Sequence, residues 1–336
     1  MLDTKPYVEH HPTFGYRYVP GTRMSLPRPG GGRYAININC DGIRADREYA
    51  PARPSGIRRI AVCGDSMAAG QFLNNAERFG ELIERRRRGV EVINLALEGS
   101  GTDQQVLLYE HVGLTFEHDA VLLLPFLQNP RRNLVEAREA YDPRTGRMVL
   151  RPKPRFELID GELRLKNVPV PQEMTTQQLD AAGGGEVKNP RTQRLKTRIA
   201  MLPGANAWRR AVQAVVPWEP FPEYRDASSA EWLLMEALIR RLKRLAGDRP
   251  VIVAPVFYAN YVRFRMARNY WDRYASLSRI GGVYPIDLLP YFRALPRDSG
   301  EACFQEPFDM HFSGLGHLVL AEALEHELDR LKLLTA

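Results

Sequence analysis

The chain has 336 residues, 44% of them apolar, with 47 Lys and Arg against 40 Asp and Glu for a formal net charge of +7. That composition is typical of a soluble globular protein, with length enough for one large α/β domain with additions or for two domains. Its three cysteines, Cys40, Cys63 and Cys303, are odd in number, far apart and without metal-ligand spacing, so reduced thiols are expected rather than a disulfide framework or a metal site.

Residues 1–58 hold Phe14-Gly15-Tyr16-Arg17-Tyr18-Val19, a Pro/Gly-rich stretch from Pro27 to Gly32, and the alternating Tyr34-Ala35-Ile36-Asn37-Ile38-Asn39. This predicts a small β-rich extension. Covering a sheet edge is its most economical role, and its tyrosines and arginines reaching an active site is the alternative. The N-terminal Met1-Leu2-Asp3-Thr4-Lys5-Pro6 lacks a charged-then-apolar signal pattern, and no run approaches the roughly 18 apolar residues of a spanning helix. A cytoplasmic protein is the resulting expectation.

From residue 59 onward the apolar runs Arg59 to Cys63, Val90 to Leu95, Ala120 to Leu127, Pro250 to Val256 and Val283 to Leu288 read as short strands separated by helical patterns. The expectation for residues 59–336 is a flavodoxin-like three-layer α/β/α fold around a mostly parallel five-stranded sheet. Asn75 is placed to cap a helix whose apolar face is Phe79, Leu82 and Ile83 and whose end is Arg85-Arg86-Arg87-Arg88. Cations suit that end of the helix dipole. The basic run is therefore assigned to a helix terminus, and no zinc-finger, RNA-binding or phosphate-loop motif accompanies it, so nucleic acid is not expected as a partner. Thr102-Asp103-Gln104-Gln105 and Ser228-Ser229-Ala230-Glu231 have the form of capping boxes, the second preceding Leu234, Leu238, Leu242 and Leu245.

The span 131–227 is too long for an ordinary loop and predicts an inserted lid or subdomain after the third strand. Met148-Val149-Leu150 and Phe156 to Leu165, with a turn at Asp160-Gly161, suggest hairpins. A break at Gly183-Gly184-Gly185 follows. From Arg191 to Trp218 basic residues interleave with Ile199, Met201, Leu202, Trp208, Val212, Val215 and Val216, a pattern suited to a lid over an anionic substrate or to a membrane surface. Pro203 and Gly204 interrupt its helical period, which argues against membrane contact.

Four blocks carry chemistry. Cys63-Gly64-Asp65-Ser66-Met67 stands where the first long strand ends. A Gly-Asp-Ser triplet arises by chance in about one chain in ten of this length, so its partners give it weight. Asn94-Leu95-Ala96-Leu97-Glu98-Gly99 follows the second strand, Leu127-Gln128-Asn129 ends the third, and Asp309-Met310-His311 precedes Phe312-Ser313-Gly314-Leu315-Gly316-His317 and a final helix. Ser, Gly, Asn and His blocks in this order resemble the SGNH (GDSL-type) hydrolase family over about Arg59 to Leu331.

That resemblance implies Ser66 as nucleophile, His311 as base and Asp309 as the acid that orients it. It implies an oxyanion hole from the N–H of Ser66, the N–H of Gly99 and the amide of Asn129. A serine hydroxyl attacks only when an imidazole takes its proton, and an acceptor fixes that imidazole's tautomer. Two positions depart from the family pattern. Its acid usually stands three residues before the histidine, where this chain has Phe308, and its Gly-x-Asn-Asp block is here Leu127-Gln128-Asn129-Pro130. Locally, Gly-Asp-Ser also reads as a turn and helix cap, Asp309 as a local hydrogen-bonding group, Gly99 as a turn glycine and Asn129 as a loop amide. His317, just inside the last helix, is left outside the site.

Tyr258, Asn260 and Tyr261, after the fourth strand, are candidate substrate-binding residues, or else surface aromatics. The resemblance implies hydrolysis or transfer of small acyl groups, acetyl among them, on carbohydrates and related metabolites. The extension and the Gln-Asn ending also resemble SGNH-like proteins of bacterial polysaccharide or specialised-metabolite biosynthesis. The expectation is a serine esterase forming an acyl-enzyme on Ser66, without metal or redox cofactor, on a small-molecule or carbohydrate ester. The alternatives are an acyltransferase using the same site and a non-hydrolytic SGNH-like binding domain. The oligomeric state is left open.

Overall fold

The computed structural model describes residues 6–142, 147–174, 211 and 217–334. Four short strands come first: β1 (Val8–His11) pairs with β2 (Gly15–Tyr18), and β3 (Arg23–Pro27) with β4 (Arg33–Asn37), as two separate antiparallel hairpins. The central sheet contains β5 (Arg58–Gly64), β6 (Val90–Asn94), β7 (Ala120–Leu124), β12 (Val251–Val253) and β13 (Val283–Pro285). Its order is β13-β12-β7-β5-β6, and every neighbouring pair is parallel. This is the doubly wound order in which the chain reverses between the first and third strands. β7, Ala120-Val121-Leu122-Leu123-Leu124, is buried along its whole length, as a strand covered on both faces must be.

Three of the strands are shorter than the apolar runs that signal them, because proline removes ladder donors. β7 stops before Pro125, β12 shortly before Pro255, and β13 at Pro285. Helix α2 (Phe79–Arg86) meets the final helix Gly314–Arg330 through Arg86 Nη2 to Glu322 Oε1 at 3.0 Å and through Arg87 to Asp329. On the other layer, α3 (Thr102–His111) meets the helix Ala230–Ala246, where Arg241 donates to both oxygens of Glu110. Among the described residues no helix is long and apolar enough to cross a membrane.

Helix starts fall one to three residues from the expected caps. Gly101 precedes α3, and Gln104 Oε1 accepts from its N–H; Ser229, not Ser228, caps Ala230–Ala246 by accepting from Trp232 N. Asn75 sits in a 3-10 turn before α2, whose cap is Arg78. Its carboxamide instead accepts from Arg44 Nε at 2.9 Å and donates to the carbonyl of Asn37 at 2.9 Å. For Asn75 the shift arises because its side chain found tertiary partners in place of the local one.

The extension does more than shield an edge. Arg44, fully buried, donates to the carbonyls of Ala69 and Gly70. Tyr7 Oη donates to Glu98 Oε2 at 3.0 Å, Tyr16 Oη donates to the Glu98 carbonyl at 2.9 Å, and Tyr18 Oη accepts from Glu98 N at 3.3 Å. Three tyrosines of the extension thus hold the turn that follows β6.

After β7 the insertion begins with two antiparallel hairpins, β8 (Ala137–Asp142) with β9 (Arg147–Pro152) and β10 (Arg155–Ile159) with β11 (Glu162–Lys166). Asp160 and Gly161 turn the second with φ of 51° and 80°, the positive values a two-residue hairpin turn requires. Lys153, buried at the end of β9, pairs with the buried Asp103 of α3 and donates to the Val135 and Pro154 carbonyls. The glycine break at 183–185 and the Arg191 to Trp218 segment, apart from Ala211, Pro217 and Trp218, lie outside the described residues.

Candidate active site

β5 delivers the chain to Gly64, where a Cβ would stand 2.4 Å from that of Ala68, so no larger residue fits. Asp65, fully buried, caps the short helix α1 (Ser66–Ala69) by accepting from Met67 N at 3.0 Å. Its other oxygen pairs with Arg132, itself 3% exposed. Arg132 belongs to α4 (Asn129–Arg132), so one buried ion pair ties the third block to the serine turn.

Ser66 Oγ lies 2.7 Å from His311 Nε2. Behind the ring, His311 Nδ1 is hydrogen-bonded to Asp309 Oδ1, and the same oxygen accepts from His311 N at 3.0 Å. The unusual spacing is met by this local turn: an Asp accepting from the backbone two residues on folds its carboxylate back along the chain. Burial by itself raises the Asp309 carboxyl, but the hydrogen bonds and charge of His311 outweigh it and hold the group below its ordinary value. Phe72 meets the His311 ring edge-on, with centroids 5.9 Å apart. Gln305 fixes the loop, donating from N to the His311 carbonyl at 2.8 Å and from Nε2 to the Phe312 carbonyl at 2.9 Å.

Ser66, Asp309, His311 and Gly99 border one cavity of about 380 Å³. Gly99 is the third residue of a turn closed by Ser100 N to the Leu97 carbonyl at 3.1 Å. Its φ of 78° is left-handed, a conformation glycine adopts without strain. Asn129 is not brought to the cavity. It is fully buried, with Nδ2 donating to Thr102 Oγ1 and Oδ1 accepting from Arg132 Nη1, both at 3.3 Å. Its neighbour Gln128 borders the cavity instead. The reason is where α4 begins: Asn129 opens that helical turn and faces back to α3, while Gln128 is the last residue before it.

Tyr258, Asn260 and Tyr261 gather at a second cavity of about 390 Å³, with Trp218, Phe221 and Met266, and Gln128 borders both cavities. Tyr258 stacks on Phe221 at 6.0 Å, with an interplanar angle of 11°. Tyr261 is only 2% exposed and packs its ring on Tyr270, so most of it is core. His317 is buried away from the cavity, its Nδ1 accepting from Phe79 N at 3.1 Å. Burial, with Arg44 and Arg78 adding to it, pushes its pKa down to about 3 and keeps the ring neutral.

Sequence reasoning did not assign Gln128, Arg132, Arg138, Arg151 or Phe308 to the site, and all of them border the cavity with Ser66 and His311. The arginine of α4 stands in the third block itself, three residues after Asn129, and a search for partners of Asp65 would have singled it out. Phe308, 64% exposed, occupies the position three before the histidine and lies against Gly30 of the extension. Among the described residues there is no cluster of three or more His, Cys, Asp or Glu suited to a metal.

No family model and no curated protein matches the chain. Solved structures that it is similar to include a lipase/acylhydrolase from Enterococcus faecalis, 14% identical over 82% of this chain and 97% of that one, with a TM-score of 0.41. Another is a lipolytic protein of the G-D-S-L family from Veillonella parvula, 10% identical over 81% and 99%, TM-score 0.42. A third is the salicylyl-acyltransferase SsfX3 from a tetracycline biosynthetic pathway, 11% identical over 84% of this chain and 58% of that one, TM-score 0.40.

Proposed function

We propose that this chain cleaves or transfers an acyl group carried as an ester, through an acyl-enzyme on Ser66. The observation that carries the reading is the line Ser66 Oγ, His311 Nε2, His311 Nδ1, Asp309 Oδ1, with a hydrogen bond at each step and an open cavity at its serine end. His311 takes the Ser66 proton as Oγ attacks the carbonyl, then returns it to the leaving alcohol. Asp309 keeps Nδ1 protonated and stabilises the imidazolium. The N–H groups of Ser66 and Gly99 are the backbone donors to the oxyanion. The side-chain donor in this reading is Gln128, which borders the cavity and whose Oε1 accepts from Arg132 Nη2 at 3.5 Å, leaving its NH₂ to donate. Water or an acceptor hydroxyl then resolves the acyl-enzyme.

A transferase remains the second reading, favoured by the aromatic cavity that adjoins the first at Gln128 and gives a second ring-sized substrate a place. A non-hydrolytic binding domain is disfavoured by the aligned histidine and by a serine that borders a cavity. Release of nitrophenol from short-chain nitrophenyl esters, with and without an added alcohol, tests the reading. Wild type is expected to turn over and Ser66→Ala is not; Asp309→Asn is expected to lose about 10⁴-fold in kcat, the effect of a wrong imidazole tautomer. An added alcohol that speeds nitrophenol release and gives an acylated product identifies transfer. Equal rates in wild type and Ser66→Ala would refute the acyl-enzyme.

A further inference from the structure

The cavity at Ser66 is lined by two arginines to which the ester-cleavage steps assign no role. In the β8–β9 hairpin Arg138 stands directly opposite Arg151, and both border the cavity with Ser66 and His311. Directly paired residues of an antiparallel ladder share a face, where like charges repel. Other charged groups also border the cavity or support it. Arg132 pairs with Asp65, Asp309 with His311, and Glu98 accepts from Tyr7 and lies 3.9 Å from Arg44. Glu139, next to Arg138, is a further carboxylate at the cavity.

Both guanidiniums are positioned by the catalytic turn and its supports. Arg138 Nη1 donates to the carbonyl of Gly99, and the Arg151 guanidinium lies 5.1 Å from the centroid of Tyr16, the ring whose hydroxyl holds Glu98. The hairpin root is fixed by the buried Lys153–Asp103 pair. Two arginines paired across one ladder and bordering one cavity can offer guanidinium donors to the oxygens of a carboxylate or phosphate.

We propose that the substrate is an anionic ester and that Arg138 and Arg151 together bind its carboxylate or phosphate while Ser66 attacks the ester carbonyl. This rests on the esterase reading above for the attack, but not for the binding. The chemistry shared by the two anions is a cluster of oxygens accepting from paired guanidiniums, and experiment separates them.

The first test measures binding to the full chain carrying Ser66→Ala, which needs no turnover, by titration calorimetry with succinate and with inorganic phosphate. Saturable binding of either, weakened roughly tenfold or more by a further Arg138→Gln or Arg151→Gln, supports the clamp, and the tighter anion identifies the group. Absence of binding of both overturns it, as does binding that the arginine substitutions leave unchanged. The second test compares nitrophenyl butyrate with the nitrophenyl monoester of succinate on the otherwise native chain. The expectation is a lower KM for the charged ester, and a KM rise in each arginine variant at least about tenfold larger for the charged than for the neutral ester. Equal rises for both esters would make the arginines structural. Loss of all turnover with anion binding intact would sink the esterase reading and leave the clamp standing.

Discussion

In the proposed reaction, one carboxamide decides how the oxyanion is held. Asn129 and Gln128 are adjacent, yet the first spends both ends of its amide on Thr102 and Arg132 inside the protein, and the second borders the cavity. Gln128→Ala is therefore expected to lower kcat by roughly 10²- to 10³-fold with a smaller change in KM, the signature of a donor that acts on the transition state. Asn129→Ala is expected to act first on stability, since it leaves the buried Thr102 hydroxyl and one Arg132 N–H without that partner. Steady-state kinetics and thermal melting of both variants check the pair, and the reverse pattern would restore Asn129 as the donor. A sequence pattern cannot choose between neighbours here, because the choice depends on where a helical turn starts.

At the scale of elements, the insertion is held to α3 by its root. Lys153 and Asp103 are both essentially inaccessible and paired with each other. Lys153→Ala strands a buried carboxylate, and the expected cost is about 3 to 5 kcal/mol. Replacing both together, Lys153→Met with Asp103→Leu, is expected to recover most of that loss, because a buried ion pair adds little over packed apolar groups of similar size. Chemical denaturation of the two variants measures it. If the double replacement is as unstable as the single one, the pair does more than neutralise itself. The hairpins themselves were legible, since Asp160-Gly161 supplies the positive φ values of a tight turn. That Arg138 faces Arg151 was not, because register emerges only when the two strands pair.

For the whole molecule, the strand order carries the site. With β5 between β6 and β7, the loops leaving their carboxyl ends lie side by side at the switch point of the sheet, the usual place for a ligand in this topology. Ser66, Gly99 and Gln128 come from those loops, and His311 and Asp309 arrive from the loop before the last helix. The same assembly buries His317 against Phe79 N, and this gives folding a pH dependence. The ring titrates near 6.5 when unfolded and near 3 when folded. Between those values the unfolded chain binds more protons, so stability is complete above about 6.5 and declines as pH falls toward 3. His317→Asn keeps an acceptor in place without the titration, and its denaturation midpoint is expected to vary less over that interval. An unchanged pH slope in the variant would assign the acid loss to other groups.

The sequence by itself determined the doubly wound sheet, the serine at the exit of its first strand, and the histidine and aspartate before the last helix. These are written in short range: buried parallel strands must be continuous apolar runs, and the turns that end them need Gly, Asp and Ser at particular positions. Tertiary structure alone decided which carboxamide borders the cavity, that three tyrosines of the extension brace the Gly99 turn, and that Arg138 and Arg151 border the cavity with Ser66. Each of these depends on contacts between residues far apart in the chain, and on buried polar groups taking the best partner that packing offers rather than the nearest one in sequence.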